Sequence, residues 1–121
     1  MDRILLVGCG GFIGAVLRYL VSLGTQRLLG TPLYATLVVN VVGCLVIGFL
    51  GGLAEERQYL SSQVRLFLFV GILGGFTTFS SVAYETATIL RAGQVPAALV
   101  HIGLQLLLGI PAVFVGYWAA R

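Results

Sequence analysis

Four apolar stretches, each roughly 20 residues or longer, dominate this chain and restrict it to structures whose surroundings are hydrocarbon rather than water. They lie near residues 4–23, 33–53, 66–90 and 95–119 of 121. A helix rising about 1.5 Å per residue crosses about 30 Å of hydrocarbon in that length. Only 9% of the residues are charged and 59% are hydrophobic, whereas about a quarter of a soluble domain is charged. A membrane span must satisfy its own backbone hydrogen bonds, which favours helices over open sheets. The expected fold is therefore an all-α membrane protein, with residues 1–121 forming one transmembrane domain. The first stretch reads as a retained span rather than a cleaved leader. It carries Gly10, Gly11, Gly14 and Arg18, leads directly into the second span, and lacks a small-residue cleavage site in a polar stretch.

The seven basic residues are all arginine and are dispersed along the chain. A pI near 9.2 thus carries no basic stripe of the kind that binds nucleic acid. With short connections, Arg3, Arg57, Arg65 and Arg121 fall on one side of the membrane. Arg27 and Arg91 fall on the other, with Arg18 near that end of the first span. Orientation follows the excess of Lys and Arg on one side, and here the excess is small. Insertion in both orientations, with two copies pairing antiparallel about a two-fold axis in the membrane plane, is consistent with it. The spacings Gly10/Gly14, Gly48/Gly52 and Gly71/Gly75 offer small-residue surfaces for helix contacts in such an oligomer.

Polar side chains at membrane depth need a partner or water, so each demands a reading. Arg18 either snorkels to the headgroups or places a cation at a pore mouth. Asn40, in a run otherwise apolar after Thr36, either makes an interhelical hydrogen bond or offers its amide donors to a dehydrating anion. The third span carries Gly74-Gly75-Phe76-Thr77-Thr78-Phe79-Ser80-Ser81, a poor helical core that predicts a break. Carbonyls freed there are natural ligands for a hard monovalent cation. Phe79 is either a core residue or a ring edge turned toward an anion. Glu85 reads as a helix-interface carboxylate. His101 and Gln105 share a helix face and form either a hydrogen-bonded pair or the lining of a vestibule. Pro111 is expected to kink the fourth span. Cys9 and Cys44 lack metal or redox spacing. No catalytic constellation is present, so no enzyme activity is expected.

Taken together these residues resemble the Fluc (CrcB) family of small bacterial fluoride channels over nearly the whole chain. The resemblance rests on Gly10-Gly11-Phe12-Ile13-Gly14-Ala15-Val16-Leu17-Arg18-Tyr19, on Thr36-Leu37-Val38-Val39-Asn40, and on Gly71-Ile72-Leu73 running into the glycine and hydroxyl run just described. It implies an antiparallel, dual-topology homodimer in the bacterial inner membrane, with a broken third helix and two pores lined by both subunits. Fluoride would pass passively, and its export would lower the cytoplasmic concentration. The family's structural sodium ion, held by backbone carbonyls, maps onto Gly74 and Thr77. Its pore asparagine maps onto Asn40, its motif arginine onto Arg18, and the first of its two pore phenylalanines onto Phe79. Thr78, Ser80 and Ser81 supply hydroxyls beside that ring, and Glu85 matches a family position.

Two positions depart from the family pattern. Val82 stands where a second phenylalanine is usual, and Gly109 where a pore-facing serine is common. Tyr84 and Gln105 are the candidate substitutes. Two other readings compete: a non-conducting partner subunit of a heterodimeric channel, and a small proton-coupled exporter. The exporter requires a carboxylate in the first span, where this chain has none.

Overall fold

The computed structural model describes residues 2–57 and 60–121, with the side chain of Arg57 outside the description. Four helical spans are long and apolar enough to cross a membrane, and the described residues contain no strand. Helix α1 covers Arg3–Leu29 and α2 covers Pro32–Arg57. The third span is composite. A short α3 (Ser62–Arg65) passes into a π-helical stretch (Leu66–Leu73), then α4 (Gly74–Phe76) and, after Thr77 and Thr78, α5 (Phe79–Arg91). The fourth span is α6 (Val95–Ala119).

The ends of these elements follow from local chemistry. Asp2 caps α1 by accepting from the Ile4 N–H at 3.1 Å. At its other end Gly30 adopts φ 76° and donates to the Gln26 carbonyl, a left-handed closure that costs glycine nothing. That cap lies beyond residue 23, so α1 is longer than the hydropathy pattern predicts. Arg18 therefore sits well inside the helix rather than near its end. Helix α5 closes the same way at Gly93, φ 75°. There Gly93 N–H reaches Leu90 O, and Gln94 N–H reaches Ile89 O. Helix α6 runs without interruption through Pro111.

Packing is arranged in two pairs: α1 lies along the first half of the third span and α2 along α6, while α5 rests on α6. Both seams are built on glycine. A Cβ added at Gly14 would collide with the Ile72 carbonyl, and one at Gly75 would come within 2.6 Å of the Gly11 carbonyl oxygen. On the other seam, Gly48 abuts the Val113 carbonyl and Gly116 the Leu45 carbonyl. Each of the three small-residue spacings thus has contacts inside one chain, where the sequence offered them to an oligomer. The reason is geometric, since two backbones at van der Waals distance leave no room for a side chain from any third helix.

At the far end of the α2–α6 pair, the Tyr117 hydroxyl donates to Glu55 at 2.6 Å and Arg121 donates to that hydroxyl at 2.7 Å. Arg121 also stands 3.4 Å from Glu56 and lies over the Tyr117 ring. These groups suit the membrane–water interface, where aromatic bodies are apolar and their tips are wet. Much of each span is only partly covered: in the best-buried span only 28% of the window is buried within the chain. Lipid or further protein must cover the rest.

Replacing Gly14 by valine is expected to destabilise the fold by about 3 kcal/mol, at the high end for overpacking, because backbone rather than a flexible side chain blocks it. Thermal unfolding of the detergent-solubilised protein measures this, and Gly24→Val, at a position with open space around it, is the control.

Candidate functional site

Between α4 and α5 the chain leaves the helical region. Thr77 has φ −83° and ψ 157°, and Thr78 has φ −151° and ψ 113°. Extended backbone at membrane depth frees polar groups that hydrocarbon cannot satisfy. Asn40 on α2 meets that need. Its Oδ1 accepts from the Thr78 N–H at 2.9 Å, and its Nδ2 donates to the Thr78 carbonyl at 3.1 Å. A second Nδ2 donation, at 3.2 Å, goes to Gln105 Oε1 on α6. One amide therefore ties three spans together at a single residue of the third. Both donors that the sequence offered to an anion are already engaged, so the interhelical reading of Asn40 describes this geometry.

The same residues redirect other backbone hydrogen bonds. A continuous helix would send the Thr78 N–H to the Gly74 carbonyl and the Ser81 N–H to the Thr77 carbonyl. Here the first goes to Asn40, while the second goes to the Thr78 hydroxyl at 3.2 Å. The Gly74 and Thr77 carbonyls are thereby without their regular helical donors. Thr77 itself remains tied to the turn before it, with both its N–H and its hydroxyl 3.0 Å from the Leu73 carbonyl. Thr78 Oγ1 lies 3.2 Å from Ser80 Oγ and donates to Ser81 Oγ at 3.0 Å. Three hydroxyls thus cluster at the first turn of α5. The N-terminus of that helix presents partial positive charge to the same region.

Beside this cluster lies a groove of about 610 Å³. Asn40, Thr78, Phe79, Val82 and Gln105 all line it. Phe79 is 84% exposed, so within one chain it is no core residue. Val82, by contrast, is buried. Tyr84 is 76% exposed and does not line the groove. A Cβ at Gly109 would stand 3.5 Å from Cys44 Sγ, an ordinary contact that accommodates a small side chain. Arg18, half-buried on α1, is not among the groove residues.

Glu85 and His101 form a second polar site. Thr36 Oγ1 donates to Glu85 Oε1, and His101 Nε2 lies 3.1 Å from Glu85 Oε2. That separation is within ion-pairing reach of a protonated imidazole, although it is not aligned as a hydrogen bond. His101 is 8% exposed and Glu85 17%, so this carboxylate is largely enclosed rather than lying at an open interface. His101 and Gln105 are not bonded to each other. Their partners come from α5 and α2 respectively, because side chains one turn apart share a face but each reaches across to a neighbouring helix. The link from Thr36 to Glu85 to His101 is what sequence reading missed. Thr36 and Asn40, one turn apart on α2, were its available signal.

Comparison with known proteins bears on this arrangement. The family model described as CrcB-like protein, Camphor Resistance (CrcB), matches residues 5–117. The fluoride-specific ion channel FluC of Hyphomonas neptunium is 47% identical over 124 residues, covering 100% of this chain and 97% of its own. The protein of the same name from Clostridium novyi is 41% identical over 120 residues, covering 96% and 94%. That from Thermus thermophilus is 46% identical over 118 residues, covering 97% and 94%.

Asn40→Leu removes the hydrogen bonds that Thr78's backbone makes to α2 and is expected to destabilise the fold by about 2 kcal/mol, since both part-buried backbone groups lose their partner. A melting curve indistinguishable from wild type would show that the amide does not hold the Thr78 backbone.

Proposed function

The chain belongs to the CrcB-like family, and from that premise and the arrangement around Thr77 and Thr78 we propose that it is a fluoride-specific ion channel. It passively exports fluoride across the bacterial inner membrane and so lowers the cytoplasmic concentration. It is a multi-pass membrane protein and, like the channels it resembles, not an enzyme. The observation that carries the reading is full-length similarity to three proteins named as fluoride channels, at 41–47% identity.

Physical chemistry supports it. Fluoride is small and strongly hydrated, so a path that conducts it must exchange water for hydrogen-bond donors. The hydroxyls of Thr78, Ser80 and Ser81 and the positive end of α5 stand together next to the exposed Phe79 ring, whose edge is electropositive. A larger halide gains less from such donors and needs a wider passage. Arg18 raises the local anion concentration by its charge. Two chains in antiparallel orientation would form two pores lined by both subunits, which accounts for a ring as exposed as Phe79.

The residues present also fit a structural sodium ion. The Gly74 and Thr77 carbonyls, deprived of their regular helical donors, are oxygens of the kind a hard cation prefers. Bound there, the ion would supply positive charge that offsets the dipoles of those carbonyls. Backbone oxygens rather than side chains would hold it.

A second reading, that the chain is a non-conducting partner in a heterodimeric channel, is favoured by Val82, which lines the groove without an aromatic edge. Purified protein in liposomes, followed with a fluoride electrode, separates the two. We expect fluoride efflux from the protein alone, and no efflux above that of empty liposomes would overturn the homodimeric channel. For the ion, replacing sodium by N-methylglucamine at equal ionic strength should lower stability by about 2.7 kcal/mol if the site was about a hundred times above its dissociation constant. Identical melting in both buffers, together with unchanged fluoride transport by Gly74→Leu and Thr77→Pro, counts against the site.

A further inference from the structure

Resting on the fluoride reading, we propose that His101 and Glu85 form a proton-operated charge element behind the groove, through which acidification raises fluoride efflux. His101 is the only histidine in the chain, and histidine is the side chain whose charge ordinarily changes between about pH 5 and 8. Its Nε2 and Glu85 Oε2 lie 3.1 Å apart, and both atoms are buried without a hydrogen-bond partner among the described residues. Buried polar atoms are nearly always satisfied, so two left facing each other mark a place that responds to an added proton. Attraction between an imidazolium and a carboxylate at that distance needs no hydrogen-bond alignment. Glu85 is held for this encounter by its other oxygen, to which the Thr36 hydroxyl donates.

Helix α6 packs against α2 and α5, so the groups able to bear on His101 come from those two helices. On α5, Tyr84 and Arg91 are exposed. On α2, Tyr34 is exposed, and Cys44 lies against Gly109, about two turns farther along α6. Glu55 and Glu56 belong to the Tyr117–Arg121 cluster at the other end of the pair. Among the described residues, Glu85 is therefore the titratable group that faces His101. Thr36 stands one turn before Asn40 on α2, His101 one turn before Gln105 on α6, and Glu85 adjoins Thr86 on α5. Asn40, Thr86 and Gln105 line the groove, whereas Glu85 and His101 do not. The pair thus touches no permeating ion and acts through its charge. One helical turn is about 5.4 Å along the axis, and across that much protein a unit charge is screened far less than in water. Each proton gained makes the pair more positive by one unit, whichever of the two atoms carries it. An anion in the groove is then repelled less and its local concentration rises, so the direction follows from the proton count alone.

Two measurements on the full-length protein in bilayers test this. Histidine-selective ¹⁵N labelling gives one imidazole, whose charge state NMR follows from about pH 8 to about pH 5. It should take up a proton within that range, and an imidazole that keeps one charge state throughout overturns the proposal. Fluoride efflux from liposomes is then compared for wild type and His101→Gln, with the leak of empty liposomes subtracted at each pH. Wild-type efflux should rise at least about threefold between about pH 8 and about pH 5.5, while His101→Gln, which cannot titrate there, should stay level. Wild-type efflux indifferent to pH, or an equal rise in His101→Gln, overturns the proposal and leaves the fluoride reading standing. If His101→Gln does not fold, the wild-type rise must follow the protonation curve of the imidazole, and a rise at any other pH counts against it. Silence of the wild-type protein at every pH overturns the fluoride reading itself, and this proposal with it.

Discussion

Extended backbone inside a membrane is tolerated only when something satisfies it, and here that something is one amide. Asn40 accepts from one face of Thr78 and donates to the other, which makes a strand-like residue compatible with hydrocarbon. Most of what distinguishes the third span depends on that exchange. With the Thr78 N–H diverted, the Gly74 carbonyl loses its regular donor. With Thr78 extended, its hydroxyl becomes the cap of α5 and draws in Ser81. The start of a new helix, its hydroxyl cluster and the freed carbonyls before it are consequences of one local departure from helical geometry.

Glycine makes the departure possible at the level of packing. The first half of the third span lies so close to α1 that their carbonyls and α-carbons touch, which leaves the π-helical stretch and α4 supported along one side. The second half is supported by α6 instead. The two halves of the span are thus carried by different partners, and Thr77 and Thr78 lie where one support gives way to the other.

Much of the architecture was legible in the sequence, and the reasons for success and failure are specific. Hydropathy located four spans because the bilayer imposes a length, and Gly74-Gly75 followed by hydroxyl residues pointed to an unusual third one. Boundaries were less legible: α1 continues to Leu29 because its end is set by the left-handed Gly30 cap rather than by where hydropathy falls. Side-chain partners were least legible. Residues at i and i+4 share a face, so His101 and Gln105 read as a bonded pair or as vestibule lining, yet each reaches toward a side chain on a different helix. Asn40 could be marked as consequential, but nothing in its neighbours revealed that its donors face Thr78 and Gln105. Glycine spacing likewise announces close approach without saying whose backbone approaches.

The length of α1 connects the protein to the physical state of its membrane. At 27 residues the helix extends about 40 Å, against about 30 Å of hydrocarbon. It must therefore tilt, protrude or thicken the lipid around it, and the balance among these varies with bilayer thickness. Because α1 packs extensively on the first half of the third span, whereas α5 rests mainly on α6, its tilt bears first on the segment before Thr77. Bilayer thickness is thereby a variable that bears on how α1 seats in its glycine seam with the first half of the third span.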